Sequence, residues 1–208
     1  GNWPSLGREL IFLKHIQAFL REEPREPRLD EVWLPDLQIM TTREPFVAMK
    51  GGHNGESHNH NDVGSFIVYP DGNPLFIDPG VGEYTSKTFS GQRYDIWTMQ
   101  SDYHNLPRIN GYSQHDGKQY KARIISHKPG QLTLDISGAY PAEAQIQQWL
   151  RTVKVQKGKR VEITEDFALK AYQAPTQLML LTPIEPQLTK AGIITLGSHT
   201  IHYNAQQL

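Results

Sequence analysis

The chain has 208 residues, with 21 basic and 22 acidic side chains and a formal net charge of −1. This balance lacks the basic excess typical of nucleic-acid binding, and no apolar run reaches the roughly 18 residues needed to span a bilayer. We therefore expect neither a nucleic-acid partner nor membrane insertion. Cysteine is absent, which excludes disulfides and thiolate metal sites.

An amphipathic helix is predicted over residues 4–23. Prolines stand at both of its ends, where they commonly mark helix boundaries. Its apolar residues recur at helical spacing: Leu6, Leu10, Phe12, Leu13, Ile16, Phe19 and Leu20. The charged, proline-rich stretch EEPREPRLDEVWLP that follows predicts a linker. We accordingly assign residues 1–35 to a helix and linker, and residues 36–208 to one β domain.

From residue 36 onward, short β-type runs alternate with turn residues. The runs are LQIMTTR, FVAMKGG, SFIVYP, LFID, YKARIISH, QLTLDISG, QQWLRTVKVQKG, RVEITEDFAL and QLMLLTP. Hairpins are predicted through Asp71-Gly72 and through Lys157-Gly158. Strands that follow one another without helices predict a mainly β fold, either an antiparallel sandwich or a barrel-like stack of sheets. One long irregular stretch, residues 81–112, is of a length that is usually functional.

The segment GGHNGESHNHNDVGSF, residues 51–66, gathers histidines among glycines and asparagines. His58 and His60 are two positions apart, so in an extended segment both side chains face the same side. Two adjacent imidazoles are a common beginning of a metal site.

Two further ligands are predicted from more distant parts of the chain. The hairpin through Asp71-Gly72 brings Asp78, at the end of its second arm, back beside His60. His104 lies in the long irregular stretch and is the remaining candidate. Two imidazoles and one carboxylate suit zinc, with a fourth position for water or another side chain.

The runs SHNHNDVGSFIVYPDGNPLFIDPG and YDIWTMQSDYHNLPRING resemble the C-terminal half of the heparinase II/III-like polysaccharide lyases, a group that includes related alginate lyases. The specific match covers residues 46–111. The resemblance implies an N-terminal α/α toroid joined to a C-terminal antiparallel β-sandwich, with the substrate cleft between them. It also implies a zinc ion in the β domain and cleavage of uronate-containing polysaccharides by β-elimination.

Matched residue by residue, His60, Asp78 and His104 fall on the zinc ligands of that family. His58 falls on an active-site histidine, and Tyr94 lies close to a cleft tyrosine of the related alginate lyases. Because imidazole exchanges protons near neutral pH, His58 suits the proton transfer that β-elimination requires. The zinc is expected mainly to hold the loops in place rather than to act as a Lewis acid.

The resemblance also sets expectations for the whole protein. The remaining catalytic groups would come from the toroid, of which the helix at residues 4–23 looks like a remnant, so this chain alone is expected to lack full activity. The expected substrate is an acidic polysaccharide, either heparin- or heparan-sulfate-like or alginate-like. We expect a periplasmic or secreted enzyme whose targeting signal lies outside this sequence.

Two other functions fit parts of the pattern. A non-catalytic carbohydrate-binding β-sandwich could use exposed aromatic residues, for which the candidates are Tyr84, Tyr94, Trp97 and Tyr103. A cupin-like metalloenzyme also begins its metal motif with H-x-H, but residues 61–65 lack the glutamate that such motifs usually supply. Iron or manganese in place of zinc would favour the cupin-like enzyme.

Overall fold

A computed structural model describes residues 6–23 and 29–206 of the chain. Within these ranges there is one α-helix, α1 (Leu6–Phe19), and fifteen β-strands. The strands are β1 (Glu31–Leu34), β2 (Ile39–Arg43), β3 (Phe46–Lys50), β4 (His53–Asn54), β5 (Phe66–Tyr69), β6 (Pro107–Arg108), β7 (Gly117–Lys121), β8 (Arg123–Lys128), β9 (Gln131–Asp135), β10 (Ile146–Gln156), β11 (Arg160–Leu169), β12 (Gln177–Leu178), β13 (Gln187–Lys190), β14 (Ile193–Leu196) and β15 (His199–His202).

Two four-stranded antiparallel sheets dominate the fold, in the orders β1-β2-β3-β5 and β11-β10-β9-β8. Buried side chains alternate with less buried ones along β2 and β3, as expected for strands with one face on a core. The core contains buried residues from both sheets: Met40, Val47, Met49, Phe66 and Val68 from the first, and Leu132, Leu134, Trp149 and Val153 from the second. The fold is therefore the mainly β, antiparallel sandwich predicted from the sequence, with a single helix before it.

Both predicted hairpins form. β10 and β11 pair down to Gln156 and Arg160, on either side of the predicted turn. After β5, the chain turns through the short 3₁₀ helix Pro70–Gly72, where Asp71 and Gly72 have positive φ. Its return arm is shorter than predicted, because the run LFID makes only one bridge, between Val68 and Phe76.

The predicted linker contains a strand, because Glu31–Leu34 form β1 and pair with β2. Glu31 accepts hydrogen bonds from His127 Nε2, at 2.8 Å, and from the Gly130 amide. Trp33 stacks on the ring of His127 with the centroids 4.4 Å apart. These contacts attach β1 to the second sheet, so this segment folds with the sandwich. The domain boundary at residue 36 stays a prediction.

The helix α1 is shorter than the predicted helix, whose Pro4 end lies outside the described residues. From Leu10 onward its apolar residues are largely in water, with exposed fractions from 37% at Ile16 to 73% at Phe19. The sandwich therefore does not cover this part of the predicted apolar face. No described helix is long and apolar enough to cross a membrane.

The last residue of β9, Asp135, connects this strand to β8 and to the turn that follows β9. Its carboxylate accepts hydrogen bonds from the Ser137 hydroxyl at 2.7 Å and from Arg123 at 2.9 Å. Burial by itself would raise the pKa of Asp135, but these hydrogen bonds outweigh it, so the pKa lies below its ordinary value of 3.8.

Four 3₁₀ helices occupy the long irregular stretch: Lys87–Phe89, Arg93–Asp95, Trp97–Met99 and Ser101–Tyr103. The segment between β4 and β5 carries His58 and His60, and the stretch after β5 carries the other candidate residues. The return arm runs antiparallel to β5, so its far end, at Asp78, lies beside the start of that strand. The segment that carries His60 leads into the same end of β5.

Candidate metal centre and its loops

His60, Asp78 and His104 meet at one point. Each offers a ligand atom, and these atoms all lie within 4.8 Å of one another. The rings of His60 and His104 have their centroids 5.4 Å apart. His104 is fully buried, whereas Asp78 is exposed on its outer side. The structure thus assembles the three predicted ligands from two loops.

The contacts of His104 require either a proton or a metal ion between it and Asp78. Its Nε2 lies 3.1 Å from the carbonyl oxygen of Thr98, so this nitrogen must carry a proton. Its Nδ1 lies 3.0 Å from Oδ2 of Asp78, which is also an acceptor. Two lone pairs at this distance repel unless a proton or a metal ion lies between them. The carbonyl of Thr98 therefore orients the ring of His104, as carbonyl oxygens commonly orient histidines that bind metals.

The charge states of the other two residues suit ligation. Burial and the nearby His104 lower the pKa of His60, which favours the neutral imidazole that binds metals. Burial alone would raise the pKa of Asp78. The hydrogen bond from His104 and the amide of Gly80 outweigh it, so that the carboxyl group ionises more readily than usual. Neutral imidazole and ionised carboxylate are the forms that zinc requires.

Asn105 ties the two sides of this site to the sandwich. Its amide nitrogen donates to the carbonyls of Phe66, at 2.7 Å, and Ile77, at 3.0 Å. Its Oδ1 accepts from the amide of Leu181 at 2.6 Å. Since Ile77 precedes Asp78 and Asn105 follows His104, one buried side chain sets the spacing between two candidate ligands.

A second tie comes from Arg151 in β10, which is 2% exposed. Its guanidinium donates to the carbonyls of Gly64, at 2.9 Å, and Asn105, at 2.6 Å, and it pairs with Glu165 at 2.6 Å. It also lies over the ring of Phe66, 5.4 Å from the centroid. Gly64 lies in the segment that carries His60, and Asn105 directly follows His104. Arg151 therefore connects the two loops that carry the candidate ligands to the second sheet.

Arg93 holds the histidine segment from the other side. Its guanidinium makes two hydrogen bonds to the carbonyl of Asn59, at 3.2 and 2.9 Å, and one to the carbonyl of Thr88 at 2.9 Å. The side chain of Asn59 is buried and donates to the carbonyl of His60 at 3.0 Å. The residue between His58 and His60 is therefore fixed by an arginine in the long irregular stretch.

Tyr94 hydrogen-bonds to the same asparagine. Its hydroxyl donates to Oδ1 of Asn59 at 2.9 Å. Burial, followed by the charge of Asp116, raises the pKa of Tyr94, so the phenol stays protonated at neutral pH. Its ring also borders a polar cleft of about 230 Å³ that Asp102 and Ser101 help to line. Tyr94 is thus held by Asn59 at the edge of an open cleft.

His58 lies at the surface with a positive φ of 59°. The extended geometry assumed from the sequence is therefore interrupted at this residue. His58 makes no hydrogen bond to any described residue, and its ring contacts the edges of Tyr84 and Phe89. The structure thus places His60 in the cluster of candidate ligands and His58 at the surface.

Residues 36–203 match the family model described as heparinase II/III-like, C-terminal. The chain belongs to this family. No curated protein matches the chain.

Solved structures with a similar fold carry names from the same family. Heparan sulfate lyase HepC from Pedobacter heparinus is 18% identical, with a TM-score of 0.67, and the match covers 90% of this chain and 32% of that one. A heparinase III gene product is 16% identical, with a TM-score of 0.65, and the match covers 89% and 30%. This heparinase II/III-like domain therefore spans about a third of the length of those chains. At such identities the likeness shows the fold.

Four residues that support the site of this heparinase II/III-like domain were not predicted: Asn59, Arg93, Asn105 and Arg151. Arg93, Asn105 and Arg151 act through hydrogen bonds to backbone carbonyls that lie far away in the sequence, and such partners leave no sequence pattern. Asn59 instead bonds to the carbonyl of its neighbour His60 and to the distant hydroxyl of Tyr94. Asn59 and Asn105 each adjoin a predicted ligand, and that adjacency is the one signal that could have drawn attention to them.

Proposed function

We propose that this chain is the β domain of a polysaccharide lyase that cleaves uronic-acid-containing polysaccharides by β-elimination. The observation that carries the proposal is the His60–Asp78–His104 cluster beside the unbonded His58, in a member of the heparinase II/III-like family. The names of the similar structures favour a heparin- or heparan-sulfate-like substrate over an alginate-like one.

The donor set fits a zinc ion, which His60, Asp78 and His104 would hold. Two imidazoles and a carboxylate are typical zinc ligands, and a metal ion would take the place of the proton between Nδ1 of His104 and Asp78. When bound, zinc would cross-link the loops and so keep His58 and Asn59 in place. Its role in this proposal is structural support of the site.

The reaction breaks the C5–H bond and the C4–O4 bond of the uronate and forms a C4=C5 double bond. A base must take the C5 proton, and an acid must give a proton to O4 as it leaves. We assign the base to His58, whose ring nitrogens have no partner among the described residues. We assign the acid to Tyr94, because a phenol is protonated at neutral pH and Asn59 holds its hydroxyl in place.

The groups that neutralise the uronate carboxylate are proposed to come from a helical α/α toroid domain of the same protein. The exposed apolar side chains of α1 support this, since they need a covering partner of that kind. We further propose that the protein is periplasmic or secreted, where large acidic polysaccharides are accessible.

The test uses the intact protein, with its helical domain, and three histidine variants. Formation of the unsaturated uronate is followed by its ultraviolet absorbance, and zinc is measured by elemental analysis. His58→Ala should abolish turnover and keep the metal, whereas His60→Ala should lose both. His202→Ala, which changes an exposed histidine of β15, is the matched control. Normal turnover in His58→Ala, or full zinc content in His60→Ala, would refute the corresponding assignment.

A second candidate function is a non-catalytic carbohydrate-binding sandwich. It is favoured by the exposed aromatic residues near the site, including Trp97 and Tyr103, which are 52% and 42% exposed. Binding of oligosaccharide by the intact protein without an unsaturated product would support it. The cupin-like alternative has lost its basis, because the matched family is a different one and the carboxylate that meets the two histidines is Asp78 rather than a nearby glutamate.

A further inference from the structure

Three aromatic rings form a cluster on the surface beside the metal centre. Tyr84 and Phe89 stack with their centroids 5.6 Å apart and their planes at 23°. His58 meets both rings edge-on, at 6.2 Å from Tyr84 and 6.4 Å from Phe89. Tyr84 remains 52% and Phe89 69% exposed. Exposed aromatic area concentrated in this way is typical of a binding surface.

The polar atoms of this aromatic cluster have no partners within the described chain. Neither the hydroxyl of Tyr84 nor the ring nitrogens of His58 make a hydrogen bond to a residue in 6–23 or 29–206. The cluster therefore offers flat apolar faces together with three free hydrogen-bonding atoms. A ligand that matches it has an apolar face and hydroxyl groups at its rim.

The backbone beneath the aromatic cluster is held firmly. Thr88 precedes Phe89, is 2% exposed, and accepts a hydrogen bond at its hydroxyl from the amide of Thr85 at 3.0 Å. Arg93 donates to the carbonyl of Thr88 and to that of Asn59, the residue after His58. One arginine thus joins the two segments that carry the rings. A surface organised before the ligand arrives loses less entropy on binding.

We propose that the aromatic cluster of His58, Tyr84 and Phe89 is a sugar-binding subsite that takes the face of one pyranose ring. The C–H face of the sugar packs on the outer side of the Tyr84–Phe89 stack, and its hydroxyls bond to Tyr84 and His58. The ligand class, a uronate-containing polysaccharide, rests on the proposed function. The subsite places a sugar unit in contact with His58.

The test is calorimetric titration of the intact protein with a heparan sulfate tetrasaccharide. Phe89→Leu removes the ring and keeps apolar volume, and Tyr84→Ala removes the stacked partner. Each should raise Kd by roughly fivefold to tenfold, the loss expected for one aromatic stack. Tyr172→Ala is the matched control, because Tyr172 is 73% exposed and has no ring partner in the described chain. Thermal unfolding and zinc content should stay unchanged in all three.

The outcomes separate this subsite from the lyase proposal. Absence of binding by the wild-type protein, or an unchanged Kd in both Phe89→Leu and Tyr84→Ala, would overturn the subsite. If binding is lost in these variants while the wild-type protein forms no unsaturated product, the subsite stands and the lyase proposal fails. If product forms and KM is unchanged in both variants, the lyase proposal stands and the subsite fails.

Discussion

Replacing Asn105 with alanine should destabilise the domain strongly, because this side chain is 0% exposed and makes three hydrogen bonds. Each bond contributes about 1 kcal/mol net, and a buried backbone group left without a partner costs roughly 1–3 kcal/mol more. The carbonyl of Phe66 is the partner in a buried bond, whereas the bonds to Ile77 and Leu181 are partly buried. The free energy of unfolding should therefore fall by about 4 kcal/mol, a large part of a typical domain's stability.

Urea unfolding followed by circular dichroism measures this loss. Asn105→Asp separates hydrogen bonding from cavity formation, since aspartate has nearly the same size but presents a carboxylate to two carbonyls. It should destabilise the domain at least as much as alanine. The control is Asn73→Ala, whose amide makes one exposed hydrogen bond of 3.3 Å to Asp71.

The same variants test whether Asn105 positions the metal ligands. Because its side chain binds the carbonyl just before Asp78, both Asn105 variants should bind zinc at least roughly tenfold more weakly, as observed for other residues that orient ligands. A loss of stability below about 1 kcal/mol in Asn105→Ala, similar to Asn73→Ala, would refute the hydrogen-bond argument. Normal zinc affinity in a destabilised Asn105→Asp would refute the positioning argument.

Three further predictions concern other contacts. Arg93→Lys should lower kcat roughly tenfold or more with normal zinc content, because lysine lacks the planar fork that holds the carbonyl of Asn59. Asp135→Asn should reduce stability to urea at neutral pH. The pKa of Asp135 is depressed in the folded state, so its contribution to the free energy of unfolding is present above pH 3.8. This contribution disappears as the pH falls through the folded pKa, and the difference in stability between Asp135→Asn and wild type should shrink there. Glu31→Ala should cost about 1–3 kcal/mol and speed hydrogen exchange in β1, because it leaves His127 without its carboxylate partner.

Each of these has a control of the same residue type. Arg108→Lys changes an exposed arginine that bonds to Gly111, and it should leave kcat unchanged. Asp166→Asn and Glu143→Ala alter exposed carboxylates. The argument about Arg93 would be contradicted if Arg93→Lys had the kcat of wild type. The argument about Asp135 would be contradicted by an effect of Asp135→Asn that does not change with pH. The argument about Glu31 would be contradicted if hydrogen exchange in β1 were unchanged in Glu31→Ala.

Local sequence patterns were sufficient for much of the fold and for choosing three candidate ligands that the structure brings together. The turns at Asp71-Gly72 and Lys157-Gly158 were predictable because positive φ at such positions depends on the residues of the turn itself. The approach of Asp78 to His60 followed from one hairpin, and His104 from its place in the long stretch. Local sequence patterns failed where strand pairing outweighs the composition of a segment. The charged, proline-rich residues around β1 predict a linker, but β1 forms a strand because it pairs with β2.

The sequence by itself therefore determined the strand-rich class, the main hairpins and the candidates for ligation, since these depend on residues close together in the chain. Only the tertiary structure decided how the site is held. The bonds from Arg93 to Asn59 and from Arg151 to Gly64 join residues 34 and 87 positions apart. It also placed His58 against Tyr84 and Phe89. Such partners are chosen by the packing of the two sheets and their loops, and no residue pattern near either partner encodes them.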